Sequence, residues 1–278
     1  MSKRPVAKSL REYGRGVVGW LIFSLPLLYT MEVWQAGMTF TSARLLAAVG
    51  GTFGLLLGYN RYAGLRRDAN FAEVVIDSVE ELGLGLVVAL VTLWALGQLQ
   101  GDTPATEVLG KVVVEGLTIA VGVSVGTAQL GGDDDRDTGE GSDGGDERPT
   151  FLGQTVIALC GAVLFGANVA PTDEIVRIAV ESTPARLLAL TALCLTVSTF
   201  ILFYAAFAGA DRFVVSEGRA RVAVQAVMVS AVSFVASAAL LWLFGRFDDQ
   251  GGWACLAETV VLGAAASLGA SAGRLLIQ

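Results

Sequence analysis

Apolar residues in this chain fall in long blocks separated by short polar breaks, not in the narrow stripes of a soluble amphipathic helix. Crossing the hydrocarbon layer of a bilayer as a helix takes about 20 mostly apolar residues. Eight blocks reach that length: 17–37, 43–64, 74–99, 108–130, 151–170, 185–209, 222–244 and 253–276. The pattern predicts an all-α fold, a polytopic membrane protein with eight transmembrane helices. Between the fourth and fifth blocks lies the longest polar stretch, which has no apolar residue from Gly131 to Pro149. Such a segment cannot bury surface, so a disordered tether is expected there.

Basic residues orient the spans. The N-terminal tail carries Lys3, Arg4, Lys8, Arg11 and Arg15; the second loop Arg61, Arg66 and Arg67; the sixth Arg212, Arg219 and Arg221. The alternate loops are poor in bases. Lys and Arg accumulate in cytoplasmic loops, and an eight-span chain with both termini in the cytoplasm puts all three clusters there. A seven-span chain does not. The expected site is the cell membrane, with the acidic linker on the cytoplasmic side.

Composition sharpens this. Hydrophobic residues make up 54% and charged residues 16%, against about 45–50% and 25% in soluble domains. The mean hydropathy is +0.62. Most soluble enzymes are excluded. The net charge is −7, but the linker alone holds eight acids (Asp133, Asp134, Asp135, Asp137, Glu140, Asp143, Asp146, Glu147) against Arg136 and Arg148. The rest of the chain is nearly neutral. The linker acids do not follow the spacing of a calcium loop. They suit a high-salt cytoplasm, where charge maintains solubility, which makes a halophilic source plausible.

The chain has no histidine, which removes His-ligated metals, Ser-His-Asp chemistry and histidine proton relays. Cys160, Cys194 and Cys255 lie in apolar blocks without paired spacing and read as core residues. No cleavable signal peptide is expected. There is no P-loop, nucleophile elbow or strand-led dinucleotide fingerprint. Gly83 and Gly85 form a lone G-x-G that reads as helix packing. No enzyme activity, cofactor or nucleic-acid partner is expected. The bilayer is the expected partner, and a homo-oligomer is possible.

The chain also repeats itself. Shifted by 142 positions, 19–47 aligns with 161–189 without a gap, and ten of the 29 pairs are identical. They include Thr30/Thr172, Glu32/Glu174, Thr41/Thr183 and the run Ala43-Arg44-Leu45-Leu46-Ala47 against Ala185-Arg186-Leu187-Leu188-Ala189. With small shifts, Tyr59 meets Tyr204, Leu93-Trp94 and Gly97 meet Leu241-Trp242 and Gly245, and Glu115, Ser124 and Gly126 meet Glu258, Ser267 and Gly269. The expected organisation is a basic tail (1–16), a four-helix repeat (17–130), the acidic linker (131–150) and a second four-helix repeat (151–278). Four spans per copy keep both in the same membrane orientation, related by a pseudo-two-fold axis along the membrane normal.

Acids inside spans carry the candidate chemistry, because each costs about 2.5–3.5 kcal/mol on insertion scales and usually faces a bundle interior or wet cavity. Glu32, Glu174, Glu115 and Glu258 survive in both copies. Thr30 and Thr172 lie beside the first pair, near Pro26 and Pro171, where helix breaks free backbone carbonyls. An oxygen-only set suits a proton or a hard cation. Glu73, Asp77, Glu80 and Glu81 lie on the third block, close to one helical face. Asp77, Glu80 and Glu81 are read as a cytoplasmic vestibule, with a solvated helix end as the equal alternative. Two readings stand for the duplicated acids. They line a channel or secondary transporter, or they are paired structurally with Arg44, Arg186, Lys111 or helix N-termini in a non-transporting scaffold, sensor or assembly partner. A retinal pump is disfavoured because it needs a lysine in the last helix of seven.

The segments Pro26-Leu27-Leu28-Tyr29-Thr30-Met31-Glu32-Val33-Trp34, Asn168-Val169-Ala170-Pro171-Thr172-Asp173-Glu174-Ile175 and Asp77-Ser78-Val79-Glu80-Glu81 resemble signatures of a prokaryotic family of integral membrane proteins of unknown function. The resemblance covers the whole chain except the linker. It implies a membrane fold and no particular substrate.

Overall fold

The computed structural model describes Gly14, Val18 and residues 30–63, 70–129, 150–207 and 219–276. Among these, helix is the only regular structure. The chain divides into two compact units, Met1–Glu147 and Arg148–Gln278. Most of the tail, nearly all of the acidic linker and most of the first predicted span lie outside the described residues.

In the first unit, α1 (Met31–Thr39) is followed by α2 (Ser42–Tyr62), α3 (Phe71–Ala95) and α4 (Ala105–Gln129). Helix α4 packs against all three others. In the second unit, α5 (Phe151–Val169) leads through α6 (Asp173–Glu181) to α7 (Pro184–Phe207), α8 (Arg219–Leu243) and α9 (Gly252–Leu276). Here α9 packs against all four others. Each unit is therefore built round its last long helix. Among the described residues, six helices are long and apolar enough to cross a bilayer: α2, α4, α5, α7, α8 and α9. Helix α3 has the length, but its N-terminal half carries Glu73, Asp77, Glu80 and Glu81.

The predicted first block runs through Gly37, with a helix break expected near Pro26. Among the described residues, Thr30 has an extended backbone (φ −93°, ψ 97°) and stands before a nine-residue helix. Thr172 does the same before α6 (φ −79°, ψ 150°). Helix α6 was not foreseen, because a short amphipathic stretch between two apolar blocks looks like a loop. Both short helices carry glutamate in the first turn, where a negative charge offsets the positive end of the helix dipole.

Identities across the two halves mark helix ends. Thr41 caps α2 by accepting from Arg44 N at 3.3 Å; Thr183 accepts from Arg186 N at 3.4 Å before α7. Helix α3 stops in a Schellman motif: Gly97 N donates to Trp94 O at 3.0 Å and Gln98 N to Leu93 O at 2.9 Å. Helix α8 stops in the same way, with Gly245 N donating to Trp242 O at 3.1 Å and Arg246 N to Leu241 O at 2.8 Å. Gly97 and Gly245 have φ of 71° and 75°, a conformation that glycine adopts without a Cβ clash. Leu93 and Leu241 are fully buried while Trp94 and Trp242 are exposed. Tryptophan at a span end suits the headgroup layer.

Small residues set the packing. A Cβ on Gly37 would strike the backbone of Gly110, and one on Gly161 the backbone of Gly269. Backbones that touch in this way need glycine on both sides. Of the G-x-G pair, Gly85 lies against Gly116 and Ala120, whereas Gly83 faces open space. Around α9 the core includes Ala158, Ala162, Val229, Ala266 and Ala270.

Candidate functional site

The four duplicated glutamates divide into two kinds. Glu32 and Glu174, in the first turns of α1 and α6, are exposed on the surface of their units. The break at the preceding threonine puts them there: it starts a new helix whose buried side is carried by Val33 and Trp34 in one unit and Ile175 and Ala179 in the other. Thr172 Oγ1 donates to Val169 O at 2.8 Å and so closes the end of α5. Thr30 stands at the matching N-cap of α1.

Glu115 and Glu258 sit in the interior. Among the described residues, Glu115, on α4, is 0% exposed and neither carboxylate oxygen has a hydrogen-bond partner. Glu258, on α9, is 2% exposed and its Oε2 has none. Each stands on the helix around which its unit packs. A buried polar group without a partner costs about 1–3 kcal/mol, and more when charged. In its neutral form a carboxyl group escapes most of that cost.

Nearby cations are engaged elsewhere. Lys111, one turn before Glu115 and 5% exposed, pairs with Glu107 Oε1 at 2.6 Å and donates to Gln98 O at 3.2 Å. Its Nζ also lies 5.3 Å from the Trp34 ring centre, a cation–π contact to α1. In the second unit Arg246 contacts Asp173 Oδ1 at 3.1 Å through Nη1 and donates through Nη2 to the Pro171 carbonyl. Its charge also acts on Glu258. Each unit thus spends one cation on fastening its short helix. Lysine supplies it from the central helix of the first unit, and arginine supplies it from the residue after the Schellman glycine in the second. Arg186 donates through Nη1 to Glu181 O at 3.1 Å, and Arg44 contributes its backbone N–H to the Thr41 cap.

The acids of α3 also separate by role. Glu73 belongs to a capping box: its N donates to Asn70 Oδ1 at 3.1 Å, and its Oε2 accepts from Asn70 N at 3.0 Å. Asp77 is half-buried and Glu80 exposed. Glu81 is half-buried, and its Oε2 accepts from Asn60 Nδ2 at 2.8 Å. The same amide nitrogen reaches Ser78 Oγ at 3.1 Å, and Ser124 Oγ donates to Asn60 Oδ1 at 3.3 Å. Asn60, Ser78 and Ser124 are buried. Sequence reasoning missed Asn60. One asparagine in an apolar block was the available signal, since a polar amide within a span is costly unless it is bonded.

The family model described as "Putative integral membrane protein (DUF2391)" matches residues 12–277. No curated protein and no solved structure matches the chain. The apolar helices imply contact with the lipid bilayer. The match spans nearly the whole chain, so this protein belongs to that family of integral membrane proteins.

Proposed function

We propose that this protein is a channel or secondary transporter that moves protons across the cell membrane, with Glu115 and Glu258 as the groups that bind and release them. One observation carries the reading. Two glutamates at matched sequence positions, each on the helix at the centre of its unit, are buried, with both carboxylate oxygens of Glu115 and Oε2 of Glu258 lacking a hydrogen-bond partner among the described residues. A stable fold has no use for such groups, whereas a carrier of protons needs a carboxyl that is neutral when loaded and can reach water when it unloads. A metal ion would need several oxygens at each acid, and Glu115 has no hydrogen-bond partner among the described residues.

The chain in this reading makes eight spans in two four-helix repeats of the same membrane orientation, with both termini and the acidic linker in the cytoplasm. The paired Schellman motifs, the paired threonine caps and the two nine-residue helices support the repeat. No catalytic role is proposed. Glu32, Glu174, Thr30 and Thr172 leave the carrier site and become helix-start residues. Asp77, Glu80 and Glu81 remain at the cytoplasmic entrance.

A non-transporting scaffold or assembly partner is the second reading. It is favoured by the two cations, Lys111 and Arg246, both of which are spent on holding the short helices. Reconstitution separates the two. Proteoliposomes holding a potassium diffusion potential should acidify when valinomycin is added, and Glu115→Gln with Glu258→Gln should abolish the response. Equal acidification by the wild type and the double variant would sink the proton site. No acidification by a folded wild type would favour the scaffold.

A further inference from the structure

Buried hydroxyls in the second unit fall into two groups. Ser233 and Ser271 turn back on their own helices and donate to Val229 O and Ser267 O, each at 2.7 Å, and Ser267 donates to Ala264 O at 2.8 Å. Serine inside an apolar helix commonly hides its hydroxyl in this way. Ser198 on α7 and Ser230 and Ser237 on α8 do not. They are 1%, 3% and 0% exposed, and their hydroxyl oxygens have no hydrogen-bond partner among the described residues. Ser230 and Ser237 are seven residues apart, so they share one side of α8. Under the repeat reading, Phe53, Leu82 and Ala89 take the places of Ser198, Ser230 and Ser237. A unit of this architecture therefore packs with apolar groups at those positions.

Three contacts fix the depth of these groups. The Cys194 thiol of α7 shares a hydrogen bond with the Ser267 hydroxyl of α9. A Cβ on Gly263 of α9 would strike the Phe234 ring of α8. Helices α8 and α9 form an antiparallel pair, so Ser230, one turn before Phe234, stands level with Ser267, one turn after Gly263. Leu202, one turn after Ser198, shares a buried cluster with Ala226, Met228 and Val229. Ser198, Ser230, Ser267 and the Cys194 thiol therefore meet at one level where α7, α8 and α9 pack. Ser237 lies farther along α8, toward the depth of Glu258. Counted from the Phe234–Gly263 contact at ~1.5 Å per residue, the two differ in depth by about 3 Å. The serines are small and neutral, and each hydroxyl can both donate and accept. Water is the ligand that satisfies such groups inside a protein, whereas an ion beside them would lack a counter-charge. We propose that Ser198, Ser230 and Ser237 bind a file of water molecules along α8. The use of that file rests on the proton reading: protons pass through it between Glu258 and the cytoplasmic half of the second unit. Each oxygen in the file takes up one proton and releases another to the next, and the Glu258 carboxylate accepts the last and becomes the neutral acid.

Radiolysis tests the water without any flux, because X-rays turn bound water into hydroxyl radicals that oxidise the side chains beside it. Cys194 and Cys160 form an internal pair: both are buried thiols, 5% and 1% exposed, but Cys194 stands at the file and Cys160 lies on α5. In full-length protein in detergent, a brief X-ray pulse followed by mass spectrometry should find Cys194 oxidised severalfold faster than Cys160. Ser198→Ala with Ser230→Ala should bring Cys194 down to the Cys160 rate, and Ser230→Thr, which keeps a hydroxyl, should not. Equal rates at the two cysteines in folded wild type would overturn the file, as would an unchanged Cys194 rate in the double alanine variant. Flux in proteoliposomes then tests the route. Ser230→Ala with Ser237→Ala should remove the same share of proton flux as Glu258→Gln. Wild-type flux in that serine variant, where Glu258→Gln lowers it, would overturn the route. Fast Cys194 oxidation with no effect of Glu258→Gln on flux would instead sink Glu258 as a carrier and leave the water file standing.

Discussion

A glutamate's position in the sequence of a membrane protein gives its depth, but its exposure depends on where its helix begins. Glu32 and Glu115 illustrate this. Both lie in apolar blocks and both have a partner in the other half of the chain, so the sequence ranks them equally. The extended backbone of Thr30, which starts α1, separates them; Pro26 signals a break nearby, but the apolar pattern does not fix where the helix starts. Burial without partners makes a specific expectation for Glu115. Glu115→Leu removes two unsatisfied oxygens and keeps most of the volume, so it should stabilise the protein by about 1–2 kcal/mol, the usual penalty of an unpaired buried polar group. Proton flux should be lost at the same time. Unfolding in detergent, set beside the flux assay, reads both. Loss of stability would mean that Glu115 has a structural partner and that the proposed carrier is wrong. At Glu32 the same change should cost only a few tenths to about 1 kcal/mol, through the helix dipole, and leave flux intact.

Helix ends account for most of what the duplicated residues do. Thr41 and Thr183 start helices, and Gly97 and Gly245 stop them. The survival of these four in both copies is explained by backbone geometry. Glu73 is a similar case, since its stripe partners suggested a vestibule and its bonds to Asn70 identify a capping box. Seven of the eight apolar blocks correspond to described helices, with ends displaced by a few residues, because block length and polar breaks mark a long apolar helix well. The short helices were less legible: α1 merged into the preceding apolar run, and α6 is too short for block length to detect. Two changes test the end motifs. Asn70→Ala should cost about 1 kcal/mol through loss of the cap, and Gly245→Ala about 1–2 kcal/mol because its φ of 75° crowds a Cβ. Equilibrium unfolding measures both. Gly37→Ala should be worse than either, because its new methyl group would strike the Gly110 backbone and separate α1 from α4. A neutral Gly37→Ala would refute that close approach.

Orientation belongs to the whole chain, and in the proposed topology three basic clusters set it. The positive-inside rule counts lysine and arginine and gives little weight to acids, so in the proposed eight-span topology the linker, which follows four spans, lies on the same side as the basic tail. Its own charge does not set its side. That distinction can be tested with thiols. The native cysteines Cys160, Cys194 and Cys255 are replaced by alanine, and single cysteines are introduced at Ser142 in the linker and at Gly101 or Gly251 in the turns before α4 and α9. A side chain at Gly101 or Gly251 would meet nothing within 4 Å, so these substitutions should be tolerated. In intact cells a membrane-impermeant maleimide should label Gly101→Cys and Gly251→Cys but not Ser142→Cys, and all three should label once the membrane is opened. Labelling of Gly101→Cys and Gly251→Cys from opposite sides would mean that the two units do not insert in the same sense. It would remove the parallel repeat and with it the matched placement of Glu115 and Glu258. Labelling of Ser142→Cys from outside would reverse the chain and put Asp77, Glu80 and Glu81 at the outer face, so that the entrance to the first unit would sample external cations.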